Sequence, residues 1–168
     1  VGSSEIANNS VTTTQLSSAA LSGKTMSGNV IFSNINASSV NTTGSLGVGD
    51  SFPSQKLSIN GVAGFHTGTG ASTSTATITL DNFTAATFRT AKYLVQITNT
   101  TDSDYQSLEI TLFHDGTTVY LTQYASIFDN GAQATFDADI SSGSVRLRVT
   151  PASGDTMAYK FIRTTIEV

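Results

Sequence analysis

The sequence predicts an all-β protein in two parts: an extended, fibrous N-terminal stem, trimeric and intertwined, followed by a C-terminal antiparallel β-sandwich or jelly-roll-like domain. Three observations predict it. Apolar residues near the start recur every fifth position, at Ile6, Val11, Leu16, Leu21, Met26 and Ile31. All five tyrosines and six of the nine phenylalanines lie beyond residue 80. That second half breaks into short alternating runs bounded by turn pairs such as Asp115-Gly116 and Ser142-Gly143.

The stem comes first. A period of five matches neither the 3.6 of an α-helix nor the 2 of a strand. One apolar residue in five cannot wrap a core within a single chain, so the segment has to stack or intertwine with copies of itself. The pattern fails after Ile31, too soon for a free-standing solenoid. A threefold arrangement closes around one axis, and the six residues Ile6 to Ile31 are the candidates to face it. Residues 1–33 carry this pattern. Residues 44–65 differ: short strand-like pieces are punctuated by Gly47, Gly49, Pro53 and the Asn60-Gly61 turn pair. The Gly/Thr/Ser stretch 67–75 reads as a junction. The expected boundaries are therefore a stem over 1–72 and a head over 73–168.

Composition narrows the function. Only 12% of the 168 residues are charged, about half the usual share, and Ser and Thr supply 50 of them. A formal charge of −4 disfavours an electrostatic grip on nucleic acid or anionic membranes. With no cysteine there is no disulfide framework and no thiolate metal site. No apolar run reaches the length of a membrane span, so membrane insertion is not expected. The chain begins at Val1 rather than Met, which reads as a processed chain or a fragment.

In the head, Thr75–Leu80 alternates, and Lys92–Thr98 sets Tyr93, Val95 and Ile97 on one face. Ser107–His114 does the same with Leu108, Ile110 and Leu112. A two-residue turn at Asp115-Gly116 then opposes Leu112 to Val119 and Ile110 to Leu121. A turn at Ser142-Gly143 opposes Phe136 to Val149, Ala138 to Leu147 and Ile140 to Val145. It also pairs Asp137 with Arg148 and Asp139 with Arg146, complementary charges worth about 0.2–1 kcal/mol each. A last strand covers Met157–Ile166. No long helix is expected.

Candidate sites are few. His66 and His114 are the only histidines. No Gly-x-Ser-x-Gly elbow accompanies them, and His114 reads as a polar rim residue beside a turn. Asp137-x-Asp139 places two carboxylates on one strand face, within reach of a cation, but the opposed arginines would repel it. Asp102-Ser103-Asp104 lacks the twelve-residue calcium loop and reads as a solvated turn. Gly47-x-Gly49 and Gly68-x-Gly70 lack the rest of a phosphate loop and read as turns. No catalytic residue, metal or cofactor is expected, and an enzyme is excluded because the close acidic pairs have other accounts. Phe113, Tyr120 and Tyr124 are the interface or receptor-surface candidates. They form an aromatic strip opposite Val119 and Leu121, with Phe113 expected across from Thr118.

Residues 46–61, Leu46-Gly47-Val48-Gly49 and then Pro53-Ser54-Gln55-Lys56-Leu57-Ser58-Ile59-Asn60-Gly61, resemble a recurring P-S-x-K-L element of phage tail-fibre and tailspike-type proteins. The run Glu5-Ile6-Ala7 through Ser10-Val11-Thr12-Thr13 to Gln15-Leu16 resembles repeats of the same proteins, with Asn8-Asn9 where Asp-Gly is usual. Residues 88–166 are similar to a module of virion structural proteins in tailed phages, notably marine ones. Residues 19–28 resemble pentapeptide repeats, which wind a single-chain solenoid. The tail-fibre resemblance implies a tail fibre or other external appendage of a virion. Its partners would be two further copies of this chain, other virion proteins and, as an adhesin tip, a host glycan or surface protein. In many such proteins the P-S-x-K-L element precedes a self-cleaving chaperone domain, which nothing in these residues resembles. No catalytic residue carries over.

Overall fold

The computed structural model describes residues 42–168, which fall in one compact unit, Asn41–Val168. The six period-five residues Ile6, Val11, Leu16, Leu21, Met26 and Ile31 lie outside the described residues. The described part is all-β, with ten strands and no helix. They are β1 (Leu46–Val48), β2 (Leu57–Ile59), β3 (Ala63–Ser72), β4 (Ile78–Thr84), β5 (Phe88–Asn99), β6 (Asp104–His114), β7 (Val119–Phe128), β8 (Ala134–Ser141), β9 (Ser144–Pro151) and β10 (Met157–Glu167).

Two sheets form. One has seven strands in the order β1-β2-β3-β10-β5-β6-β7, antiparallel except for the β1–β2 pair. The other has three, β4-β9-β8. A single cluster of buried side chains draws on both. Tyr93, Val95, Ile97, Leu108, Ile110, Leu112, Met157 and Phe161 come from the large sheet, and Leu80, Phe83, Phe136, Val145, Leu147 and Val149 from the small one. Period-2 alternation produces this directly, since alternate residues of a strand share a face.

The 142–143 hairpin has the expected register: Phe136, Ala138 and Ile140 oppose Val149, Leu147 and Val145. Ser142 and Gly143 both have positive φ, the conformation of a two-residue turn matched to strand twist. The expected ladder of two ion pairs is corrected. Asp139 accepts from Arg146 Nε at 2.6 Å and also from Arg148 Nη1 at 3.3 Å. Asp137 instead bonds its neighbour, the Ala138 N–H, at 2.8 Å.

The other hairpin is displaced by two residues. Leu112 opposes Leu121, and His114 opposes Val119. Asp115 causes the shift: its Oδ1 accepts from the Thr117 and Thr118 N–H groups, both at 2.8 Å, closing a four-residue turn over 115–118. A shift of two preserves which face each residue takes. Phe113 therefore lies across from Tyr120, not Thr118.

The region expected to be a junction is a strand. β3 pairs with β10 from Ala63–Ile166 to Ser72–Met157, so no boundary falls at residue 72 within the sheet. Its inward positions 64, 66, 68, 70 and 72 are Gly, His, Gly, Gly and Ser, opposite bulky Phe161 and Tyr159. A Cβ on Gly68 would lie 2.3 Å from Phe161 Cζ, so glycine here makes room for the ring.

Candidate functional site

The outward face of the large sheet carries the aromatic candidates. Strand registers place four rows across it. Ala63, Ile166, Thr90, Phe113 and Tyr120 make one, and Phe65, Thr164, Lys92, Thr111 and Thr122 the next. Thr67, Ile162, Leu94, Glu109 and Tyr124 form the third, and Thr69, Lys160, Gln96, Ser107 and Ile127 the fourth. Phe65, Leu94, Phe113, Tyr120, Tyr124, Ile127, Ile162 and Ile166 are all exposed.

The face is locally ordered. The Phe113 and Tyr120 rings stack at 4.9 Å, 15° from parallel. Tyr120 Oη donates to Asp115 Oδ2 at 3.3 Å. Tyr124 Oη and Thr111 Oγ1 share a hydrogen bond of 2.9 Å. Lys92 Nζ sits 2.8 Å from Glu109 Oε2 and 5.6 Å from the Tyr124 ring centroid. The Glu109 hydrogen bond raises the Lys92 pKa, and the same bond lowers that of Glu109, so the pair stays charged and mutually neutralised near pH 7. Beyond Tyr124 the strand bulges at Ala125, which has positive φ, and Ile127 rather than Ser126 then faces outward.

Shallow hollows cross the face. One of about 240 Å³ lies between Leu94, Gln96, Ser107, Lys160 and Ile162. A second of about 330 Å³ adjoins it, edged by Tyr105, Ile127, Phe128 and Asp129. A third of about 310 Å³ lies over Phe113, Tyr120 and Thr122.

A different group of polar side chains is buried between the sheets. β4 shifts register between Thr79 and Asp81, so Leu80 and Asp81 both turn inward. Asp81 meets Arg163 in an ion pair buried on both sides and accepts from Tyr93 Oη at 3.0 Å. Burial, and then the Asp81 charge, push the Tyr93 phenol well above its ordinary pKa. Arg163 Nη2 donates to Gln55 Oε1 at 3.0 Å, Nη1 donates to the Asn82 carbonyl at 3.3 Å, and the guanidinium lies 4.9 Å from the Phe83 ring centroid. A hollow of about 250 Å³ beside this group is lined by Ser54, Gln55, His66, Asn82, Thr84 and Arg163.

The histidines have structural settings. His114 is buried rather than on the rim. Its Nε2 donates to the Phe88 carbonyl at 2.7 Å, and its Nδ1 accepts from the Gly116 N–H at 3.1 Å. His66 is held below its ordinary pKa by burial first and by Arg163 next. Among the described residues no hydrogen bond joins it to a carboxylate or hydroxyl, and no cluster of three metal-ligating side chains forms. In the 102–104 turn, Asn99 Oδ1 accepts from the Thr101 and Asp102 N–H groups, and Ser103 has positive φ.

Sequence reasoning found Phe113, Tyr120 and Tyr124 on this face but missed Leu94, Ile127 and Ile162. The signal was present: in Tyr93-Leu94-Val95 and Phe161-Ile162, consecutive apolar residues put one on each side of a strand.

No family model matches the chain, and no curated protein matches it. Phage tailspikes are among the solved structures to which the chain is similar. The Acinetobacter baumannii phage AM24 tailspike aligns at TM-score 0.38 and 10% identity over 65% of this chain and 27% of that one. Tailspike gp49 of the A. baumannii bacteriophage Fri1, described as a capsular polysaccharide depolymerase, aligns at TM-score 0.36 and 14% identity over 65% and 20%. The tailspike of Acinetobacter phage vB_ApiP_P1 aligns at TM-score 0.36 and 13% identity over 79% and 24%. The chain thus spans about a quarter of the length of these proteins or less. The exclusion of an enzyme drawn from the sequence is corrected here, because one of these similar structures is described as a depolymerase. At such TM-scores and identities the likeness by itself assigns neither family nor reaction.

Proposed function

We propose that this chain is a structural component of a bacteriophage tail fibre or tailspike-type appendage on the outside of the virion. In this reading three copies intertwine through the stem, with Ile6, Val11, Leu16, Leu21, Met26 and Ile31 toward the axis. Each carries a head in which the two sheets face one another as a sandwich.

One observation carries the reading: the fibre-like element over residues 46–61 is built into the head's sheet. Gln55 is buried, and its amide oxygen receives Arg163 of the last strand. Ser54 Oγ donates to Glu167 at 3.2 Å, and β2 pairs with β3 through the Asn60-Gly61 turn, where both residues have positive φ. Load entering at this element passes into sheet hydrogen bonds and a buried ion pair. That coupling suits a mechanical appendage.

Light scattering on the full chain tests the trimer. It should give about three times 17.5 kDa, and a monomer mass would refute it. Leu16→Asp or Leu21→Asp should loosen the trimer by placing charge at a dry axis. Unchanged association would remove those residues from the axis.

A second reading, a receptor-binding tip for a host glycan or surface protein, is favoured by the hollow at Tyr105, Ile127 and Phe128. Aromatic and apolar edges there flank the Gln96 amide and the Asp129 carboxylate, the mixture that suits a hydroxyl-rich ligand. A glycan array without a binder, together with adsorption by particles lacking the head, would count against it.

A further inference from the structure

We infer that the outward face of the seven-stranded sheet is covered by other copies of this chain, so that heads meet one another through Leu94, Ile162, Phe113, Tyr120 and Tyr124. The inference rests on the trimer reading above and deepens it by naming the surface.

Area is the first argument. Five strands spaced about 4.8 Å apart, each crossing roughly nine residues at about 3.3 Å, offer on the order of 700 Å². A stable association takes about 800 Å² from each partner. The face is therefore close to the size of a whole interface, and larger than a site for one small molecule.

Charge is the second. Across the four rows the only charged side chains are Lys92, Glu109 and Lys160. Lys92 and Glu109 neutralise one another on the same chain. A strongly acidic or basic partner finds little to hold, whereas an identical, near-neutral face meets it without opposing charge clusters. Aromatic and aliphatic residues with few charges are also the make-up of an interface centre.

Tethering is the third. Copies joined through the stem are held at effective concentrations of the order of millimolar, so a modest affinity per face suffices.

The chain has no cysteine, which makes single introduced thiols clean reporters. Ile162→Cys, Ser107→Cys and Thr122→Cys would be made one at a time in the full chain, with Thr79→Cys on the small sheet as the control. Each would be treated with a short bis-maleimide and, separately, with a bulky maleimide polymer. The expected result is covalent dimers and trimers from the outward-face thiols, several-fold more than from Thr79→Cys, and poor labelling by the polymer. If the outward-face thiols link no better than the control and take the polymer freely while the mass stays trimeric, this inference fails and the trimer stands; the face is then open to a different partner. A monomeric mass for the unmodified chain overturns the trimer reading and this inference together.

Discussion

The two faces of the seven-stranded sheet are made from the same strands and differ in what covers them. Inward, Tyr93, Val95, Ile97, Ile110 and Leu112 have 0% exposure. Outward, polar residues such as Lys92, Gln96, Glu109 and Thr111 alternate with large apolar ones, of which Leu94 is 48% exposed and Ile162 47%. An antiparallel sheet with one solvated face normally reads apolar-in, polar-out. Here the outward face mixes threonines with large exposed side chains such as Phe65, Leu94, Phe113 and Ile162, and the chain's own small sheet covers only the inner face. The difference teaches that the chain closes the inner face by itself and leaves on the outer one large apolar side chains, which the proposed association of heads would cover.

The largest test of that contrast concerns charge. Asp81→Ala would leave Arg163 buried without its carboxylate, and should cost about 3–5 kcal/mol of folding stability in a denaturant titration. The outward pair should behave differently: in a monomeric state, Glu109→Gln should leave the denaturation midpoint nearly unchanged, because within one chain Lys92 and Glu109 are part-exposed. Equal losses at the two sites would erase the distinction between the faces.

Apolar truncation gives a somewhat smaller contrast. Ile110→Ala should cost about 2–5 kcal/mol, through lost burial and the cavity left behind. Leu94→Ala should change the fold's own stability by about 0.5 kcal/mol or less. Leu94→Lys should instead weaken association of the heads, read as loss of cross-linking. A large stability loss for Leu94→Ala in a monomeric state would mean that its own chain buries it.

The smallest effect is a pH dependence. The fold holds His66 below its ordinary pKa of 6.5, so as pH falls the unfolded chain takes up the proton first. The contribution of His66 is therefore fully present above pH 6.5 and is lost as pH falls through the folded value. Stability should decline with falling pH in that window, and His66→Gln should flatten the decline. A parallel curve for the variant would show that the inward position of His66 has no electrostatic consequence.

Much of the inner face was legible, because alternation reports burial directly: Tyr93, Val95 and Ile97, then Leu108, Ile110 and Leu112, were placed from period alone. The 142–143 hairpin was legible to the residue, because a two-residue turn leaves no freedom in register. The 115–118 hairpin was not. Its length depends on the Asp115 carboxylate capping two N–H groups, an option that local sequence offers without requiring. β3 was hidden by composition. Gly68 and Gly70 look like linker residues until Phe161 and Tyr159, some 90 residues on, are seen to need the space. The Asp81–Arg163–Gln55 group was invisible for the same reason, since a bulge and two long-range pairings bring it together.

The proposed covering of the outward face is tested most directly by hydroxyl-radical footprinting of the full chain, read residue by residue by mass spectrometry. Leu94, Phe113, Tyr120, Tyr124 and Ile162 should be oxidised much more slowly than their exposure in a single chain would give, while Phe52, 90% exposed and outside the four rows, should react freely. Oxidation of the five at the rate their single-chain exposure gives, in a chain that is trimeric in the same buffer, would contradict the claim that copies of this chain cover that face.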